Sequence, residues 1–223
     1  MFYFILIDFI LSILICFIFK KRGIIFCYVF HIILTQMFLT YNFQIFSIVC
    51  NVGSIFYAIL FMFIDFMNEF YHKKEANKLV NYGIITLSVL LILIMTINVT
   101  KTDFFDINTE QMIKTIICDI IVSYLIFQNL KILIFSFFKK LFSSKYVFFR
   151  SLTSTAVCQF LIAVIFYELI FFNYYSQDII VSIIFSGLTI KMFIAFLSAM
   201  MCSIFKKIWN RKNIHNNCAG VFN

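Results

Sequence analysis

Apolar blocks of about 18 residues or more recur along the whole chain, separated by short polar breaks. A chain with this spacing has few folding options. Backbone N–H and C=O groups inside a bilayer need partners within the protein, so continuous blocks of this length form helices, not open strands. A membrane β-barrel would instead show alternating segments of about ten residues. The blocks lie near 2–19, 24–40, 44–66, 79–99, 112–138, 150–173 and 179–205. They predict an all-α polytopic membrane protein of about seven transmembrane helices. Residues 1–207 form one transmembrane domain and 208–223 a short, polar, disordered cytoplasmic tail.

Charge fixes the expected orientation. The breaks after the first, third and fifth blocks, with the tail, hold fourteen cations: Lys20, Lys21, Arg22, Lys73, Lys74, Lys78, Lys139, Lys140, Lys145, Arg150, Lys206, Lys207, Arg211 and Lys212. The other breaks contribute Lys101 and Lys114. Cytoplasmic loops collect Lys and Arg, so the N-terminus is expected outside and the C-terminus inside. The same clustering argues against a nucleic-acid partner despite a net charge of +8. Seven cysteines are scattered, mostly within apolar blocks, without a C-x-x-C pair, and three histidines are widely spaced. Neither a metal site nor a disulfide framework is expected. An intramembrane enzyme would need a set such as H-E-x-x-H or a Cys-His pair, and none is evident.

A charge at the bilayer centre costs about 2.5–3.5 kcal/mol on insertion scales, so polar residues inside the blocks mark candidate sites. Asp65 and Glu69 are four residues apart and project from one helix face. They suit a cation, a proton or adjacent N–H donors, or else they are wet acids at a helix end beside Lys73 and Lys74. Lys191 is mid-block and should face the protein interior with an acid for company. Lys131, two turns from Lys139, reads as a lysine that snorkels to the interface. Asp8, Asp119 and Glu168 are weaker candidates. Gln128 and Gln159 suit either substrate binding or helix–helix hydrogen bonds, and Gly53 suits a close helix approach or a helix start.

The segment Asp65-Phe-Met-Asn-Glu69-Phe-Tyr71-His-Lys-Lys74-Glu75-Ala76 resembles the D-x-x-x-E-x-Y-G-x-K-x-A signature of the YhhQ-type queuosine precursor transporters, also described as vitamin uptake transporters. Gly53 matches a family glycine twelve residues earlier. Ser123-Tyr124 with Gln128 resembles the A-Y-x-x-x-Q stretch, and Arg150-Ser-Leu-Thr-Ser154-Thr155-Ala-Val-Cys-Gln159 the R-x-x-x-S-T-x-x-x-Q stretch. Lys191 stands where the family has a lysine in its last span. The departures are His72 for the usual glycine, Asn77 for a common arginine, Ala58 and Ala199 for prolines, Ile162 for an intramembrane aspartate, and Lys131 for Asn or Asp.

The resemblance implies a six-helix core similar to the substrate-binding subunits of energy-coupling-factor vitamin transporters, plus one N-terminal helix. It implies inward transport of a 7-deazaguanine base, such as 7-cyano-7-deazaguanine or queuine, across the cytoplasmic (inner) membrane of a bacterium for tRNA modification. The alternatives are another small vitamin-like solute or a non-transporting relative. The implied substrate-binding residues are Asp65, Glu69, Gln128, Gln159 and Lys191. Gly53, Tyr71, Lys74 and Arg150 are structural or lie at the cytoplasmic surface. The implied partners are the lipid bilayer and the small-molecule substrate, with no cofactor; the energy source is either an energising transporter complex, protons coupled through Asp65 and Glu69, or trapping of the solute by later metabolism.

Overall fold

The computed structural model describes residues 2–38, 41–45, 48–99, 113, 116–117, 119–142, 146–171 and 177–219. Its helices are α1 (Phe2–Met37), α2 (Val52–Val99), α3 (Asn129–Leu141), α4 (Val147–Phe171) and α5 (Gln177–Ala219). A π-helical segment, Asp119–Gln128, leads into α3. Among the described residues, four helical stretches, 3–37, 52–96, 147–165 and 187–209, are long and apolar enough to cross a membrane.

Helix α1 doubles back on itself. In a straight helix residues 8 and 31 would be about 35 Å apart at 1.5 Å per residue. Here His31 Nε2 lies 2.9 Å from Asp8 Oδ2. Cys27 Sγ also reaches the Ser12 carbonyl at 3.7 Å, which fits two antiparallel arms, 2–19 and 21–37. The turn is at Lys20, whose φ of 51° and ψ of −126° break the helix. Just beyond it the arms meet so closely that a Cβ on Gly23 would sit 2.4 Å from the Ile15 carbonyl oxygen. Only glycine permits that approach.

Helix α2 folds back in the same way. Tyr57 and Gly83 would be about 39 Å apart along a straight helix. Both lie against Tyr124: its ring centroid is 6.4 Å from that of Tyr57, and its Cε1 is 2.6 Å from where a Gly83 Cβ would stand. The break is at His72, with φ 73° and ψ 161°. Outside the turn, the half-buried Glu75 carboxylate pairs with Lys21 at 2.8 Å and Lys78 at 2.8 Å. Those contacts, that with Lys21 foremost, hold its pKa down at about 2.

Two features depart from the sequence reading. Residues 42–51, of which 44–51 were expected to open the third helical span, instead include an antiparallel hairpin of β1 (Asn42–Ile45) and β2 (Ile48–Asn51), registered Asn42↔Asn51 and Ile45↔Ile48. The fold is helical, as expected, apart from this hairpin. β-Branched and aromatic residues favour the extended chain here, and Val52 N–H donating to the Tyr41 carbonyl at 2.9 Å ties the hairpin to the start of α2. The polar stretch expected as a disordered tail is helical as far as Ala219, because α5 simply continues.

The packed interior is centred on the first arm of α2, where residues 58–67 are almost fully buried. Many large apolar side chains elsewhere, such as Ile7, Ile85, Phe149 and Phe193, are exposed, as a lipid-facing surface requires.

His72 occupies a backbone region that is essentially glycine's alone and costs other residues about 1–3 kcal/mol. The family signature has glycine at this position. We therefore expect His72→Gly to raise thermal stability in lipid nanodiscs by about 1 kcal/mol or more. A melting temperature unchanged or lowered by His72→Gly would contradict the strained turn.

Candidate functional site: a buried carboxylate pair held by four helices

Asp65 and Glu69 lie one helical turn apart on the first arm of α2, and both carboxylates are buried. They are not wet acids beside Lys73 and Lys74, both of which are exposed. Each has its own set of partners drawn from other helices.

Asp65 Oδ1 pairs with Lys131 Nζ of α3 at 3.1 Å, and Ser151 Oγ of α4 donates to Oδ2. The Lys131 ammonium also donates to the Phe61 carbonyl at 2.7 Å and to Thr155 Oγ1 at 2.9 Å, and lies 4.5 Å from the Phe61 ring centroid. Lys131 does not snorkel to the interface as its distance from Lys139 suggested; it is fully buried. The reason is energetic. Leaving Asp65 in the interior without a counter-charge would cost more than burying the lysine beside it.

Glu69 gathers three cations. Arg150 Nη2 of α4 donates to Oε2 at 2.9 Å, Lys206 of α5 pairs with Oε1, and Lys139 of α3 stands 3.3 Å from Oε2. Lys139 also donates to the carbonyls of Asn68 and Glu69 at 3.2 and 3.1 Å. Asn68 Nδ2 in turn donates to Ser136 Oγ at 3.1 Å. Arg150, expected at the cytoplasmic surface, is buried. Helices α2, α3, α4 and α5 thus meet on one carboxylate.

A further level lies one turn beyond. The contacts Phe135–Arg150 and Lys131–Thr155 set α3 and α4 antiparallel. Continuing that register brings Gln128 and Gln159 to the same level, on the side of Asp65 away from Glu69. Both glutamines are fully buried. Tyr28 donates its hydroxyl to Gln128 Oε1. Gln128 Nε2 and both polar atoms of Gln159 have no hydrogen-bond partner among the described residues. Buried amides left this way are uncommon, since each one forgoes about 1–3 kcal/mol. Tyr57 and Tyr124 follow at the next level.

The remaining expected residues are dispersed. Lys191 is buried on α5 but lies about 22 Å along the helix from Lys206, so other cations meet the two carboxylates. Gly53 is buried at the start of α2, its N–H donating to the Phe38 carbonyl at 3.1 Å. Tyr71 is half-buried against Trp209, with ring centroids 6.0 Å apart. Lys74 is exposed, away from the carboxylates. The side chains of Asp119 and Glu168 lie outside the described residues. Sequence reasoning missed Lys131, Lys139 and Lys206 as site residues. It quoted Thr155 only as part of a motif. Ser151 and Thr155 carried one usable signal: they are four apart on the face that also carries Gln159.

A multi-pass membrane protein with a charge network buried among its helices is the class these features define. The chain belongs to the family described as "Putative vitamin uptake transporter", whose model matches residues 51–205. It is 24% identical over 172 residues to the "Probable queuosine precursor transporter" of Bacillus subtilis (strain 168), an alignment covering 74% of this chain and 75% of that protein. No solved structure matches the chain significantly. The protein is a membrane transporter, not an enzyme, and its family is the one its motifs resemble. Every residue of the carboxylate and glutamine levels except Lys206 and Tyr28 falls inside the matched region.

Removing the Asp65 charge alone strands Lys131 in the interior. Asp65→Asn should therefore destabilise the protein by about 3–5 kcal/mol, and adding Lys131→Met should recover most of that loss. Thermal unfolding of the single and double variants in nanodiscs reads this directly. Equal losses in both would show that the two charges do not depend on each other.

Proposed function

We propose that the chain imports a queuosine precursor, a 7-deazaguanine base such as 7-cyano-7-deazaguanine or queuine, across the cytoplasmic membrane of a bacterium. The observation that carries this reading is the unsatisfied pair Gln128 and Gln159 at the level next to buried Asp65. The named relative, a probable queuosine precursor transporter, supplies the substrate class.

A deazaguanine offers a ring N–H and an exocyclic amine side by side, with a carbonyl adjacent. One carboxylate accepts both donors, and an amide N–H meets the carbonyl. Asp65 is the acceptor nearest the glutamines. Gln128 and Gln159 address the remaining edge of the base, and Tyr57 and Tyr124 wall it with rings. Glu69 lies beyond Asp65 on the basic side and acts as the inner closure. While its three cations hold α3, α4 and α5 to α2, the base cannot pass. Lys191, far along α5, belongs to the outer half of the pathway.

The turns at Lys20 and His72, which divide α1 and α2 into two arms each, support seven passes when counted with the 119–141 stretch, α4 and α5. The cations at those turns support an N-terminus outside and a C-terminus inside.

A second reading, another small vitamin-like solute, is favoured by one observation. A cation already sits against Asp65, and buried Ile162 stands where the family has an acid. A solute bearing an acceptor of its own would suit Lys131. Binding of 7-cyano-7-deazaguanine to the purified protein in nanodiscs, measured by calorimetry, separates the two. We expect saturable binding, weakened about 5-fold to 150-fold in Gln159→Leu by the loss of about 1–3 kcal/mol. No binding by the well-folded parent, or equal binding in Gln159→Leu, would contradict the deazaguanine assignment.

A further inference from the structure

The α1 hairpin holds a second buried ionisable pair, separate from the carboxylate site and outside the region matched by the family. His31 is fully buried on the second arm, and Asp8, on the first, is 13% exposed at its side chain. His31 Nδ1 is 2.8 Å from the Cys27 carbonyl oxygen, and Nε2 is 2.9 Å from Asp8 Oδ2.

Both ring nitrogens therefore face oxygen acceptors. A carbonyl only accepts, so Nδ1 carries a proton. A neutral imidazole then has a bare lone pair at Nε2, and an ionised Asp8 would face it with another. At 2.9 Å that arrangement is repulsive. One further proton must lie between Nε2 and Oδ2, shared as imidazolium and carboxylate or as imidazole and carboxylic acid. The pair is neutral with this proton and carries one negative charge without it.

The surroundings leave that charge nowhere to go. The titratable groups near the pair are thiols of the same hairpin: Cys27, which donates to the Ser12 carbonyl, and buried Cys16. From α2, the rings of Phe63 and Phe56 pack edge-on against His31 at 5.1 and 5.9 Å between centroids. Among the described residues no cation reaches the pair, in contrast to Asp65 and Glu69. Loss of the proton would thus leave an uncompensated negative charge against an apolar face of α2, two residues from Asp65. Hairpin and arm would then have to repack.

We propose that Asp8 and His31 form a proton-binding site within the membrane, through which uptake by this chain is coupled to proton entry. The coupling rests on the transport reading above; the proton site itself does not.

The test therefore has two arms on the full chain in lipid. Nitrogen-15 histidine NMR, with the infrared carboxyl region, reads the proton directly, His31→Gln assigning one of the three histidines. We expect the pair to show either a second N–H on His31 or a protonated carboxyl at neutral pH. It should be lost in Asp8→Asn. A singly protonated His31 beside an ionised Asp8 at neutral pH would overturn the site.

In proteoliposomes, accumulation of 7-cyano-7-deazaguanine should rise roughly tenfold for each unit of outside-acid pH gradient, the ratio a one-proton step supplies. Asp8→Asn and His31→Gln should abolish that rise while retaining exchange without a gradient. A rise of the same size in both variants would overturn the coupling. If the parent takes up no precursor, the transport reading fails and the coupling with it, while the NMR arm still decides whether the proton is there.

Discussion

Two carboxylates one turn apart inside a membrane cannot be left alone, and the packing of this protein follows from that constraint. Each would cost several kcal/mol unpaired, so each requires cations delivered by other helices. Asp65 takes Lys131 from α3 and Ser151 from α4; Glu69 takes Lys139, Arg150 and Lys206 from α3, α4 and α5. Apolar packing among lipid-like side chains sets little by itself, because lipid is as apolar as leucine. The polar links give the helices a definite register.

That register also makes the site usable. It brings Gln128 and Gln159 to one level above Asp65 with hydrogen-bonding capacity to spare, while the Glu69 carboxylate below is engaged by three cations. One level is closed by charge and the next keeps unpartnered amides, the asymmetry on which the proposed import rests. The α1 hairpin packs against the same α2 arm through His31 on Phe56 and Phe63, so the proposed proton site and the proposed ligand site bear on one helix.

Much of this was legible in the sequence. The spacing of Asp65 and Glu69 gave their shared face, the order of the motifs gave the family, and the apolar blocks gave the membrane-crossing lengths. The partners were not legible. Lys131 reads as a snorkelling lysine because nothing local shows that Asp65 stands opposite it, and Lys206 reads as one more loop cation. Cross-helix register depends on packing that hydropathy does not encode. The hairpin of Asn42–Ile45 and Ile48–Asn51 was hidden for another reason: a short run of apolar β-branched and aromatic residues has no period that distinguishes strand from span. The Lys20 break was signalled by charge alone, and the pairing of Asp8 with His31 follows only once that break folds the arms together.

The central claim is that this chain brings a deazaguanine base into the cell. The most direct measurement is queuosine in tRNA from a bacterial strain that cannot make the precursor and lacks its own importer, expressing this chain and supplied with scarce 7-cyano-7-deazaguanine. The account predicts that queuosine returns with the parent chain and fails to return with a correctly inserted Glu69→Gln variant. Absence of queuosine with the parent chain, correctly inserted and with the downstream enzymes intact, would contradict it.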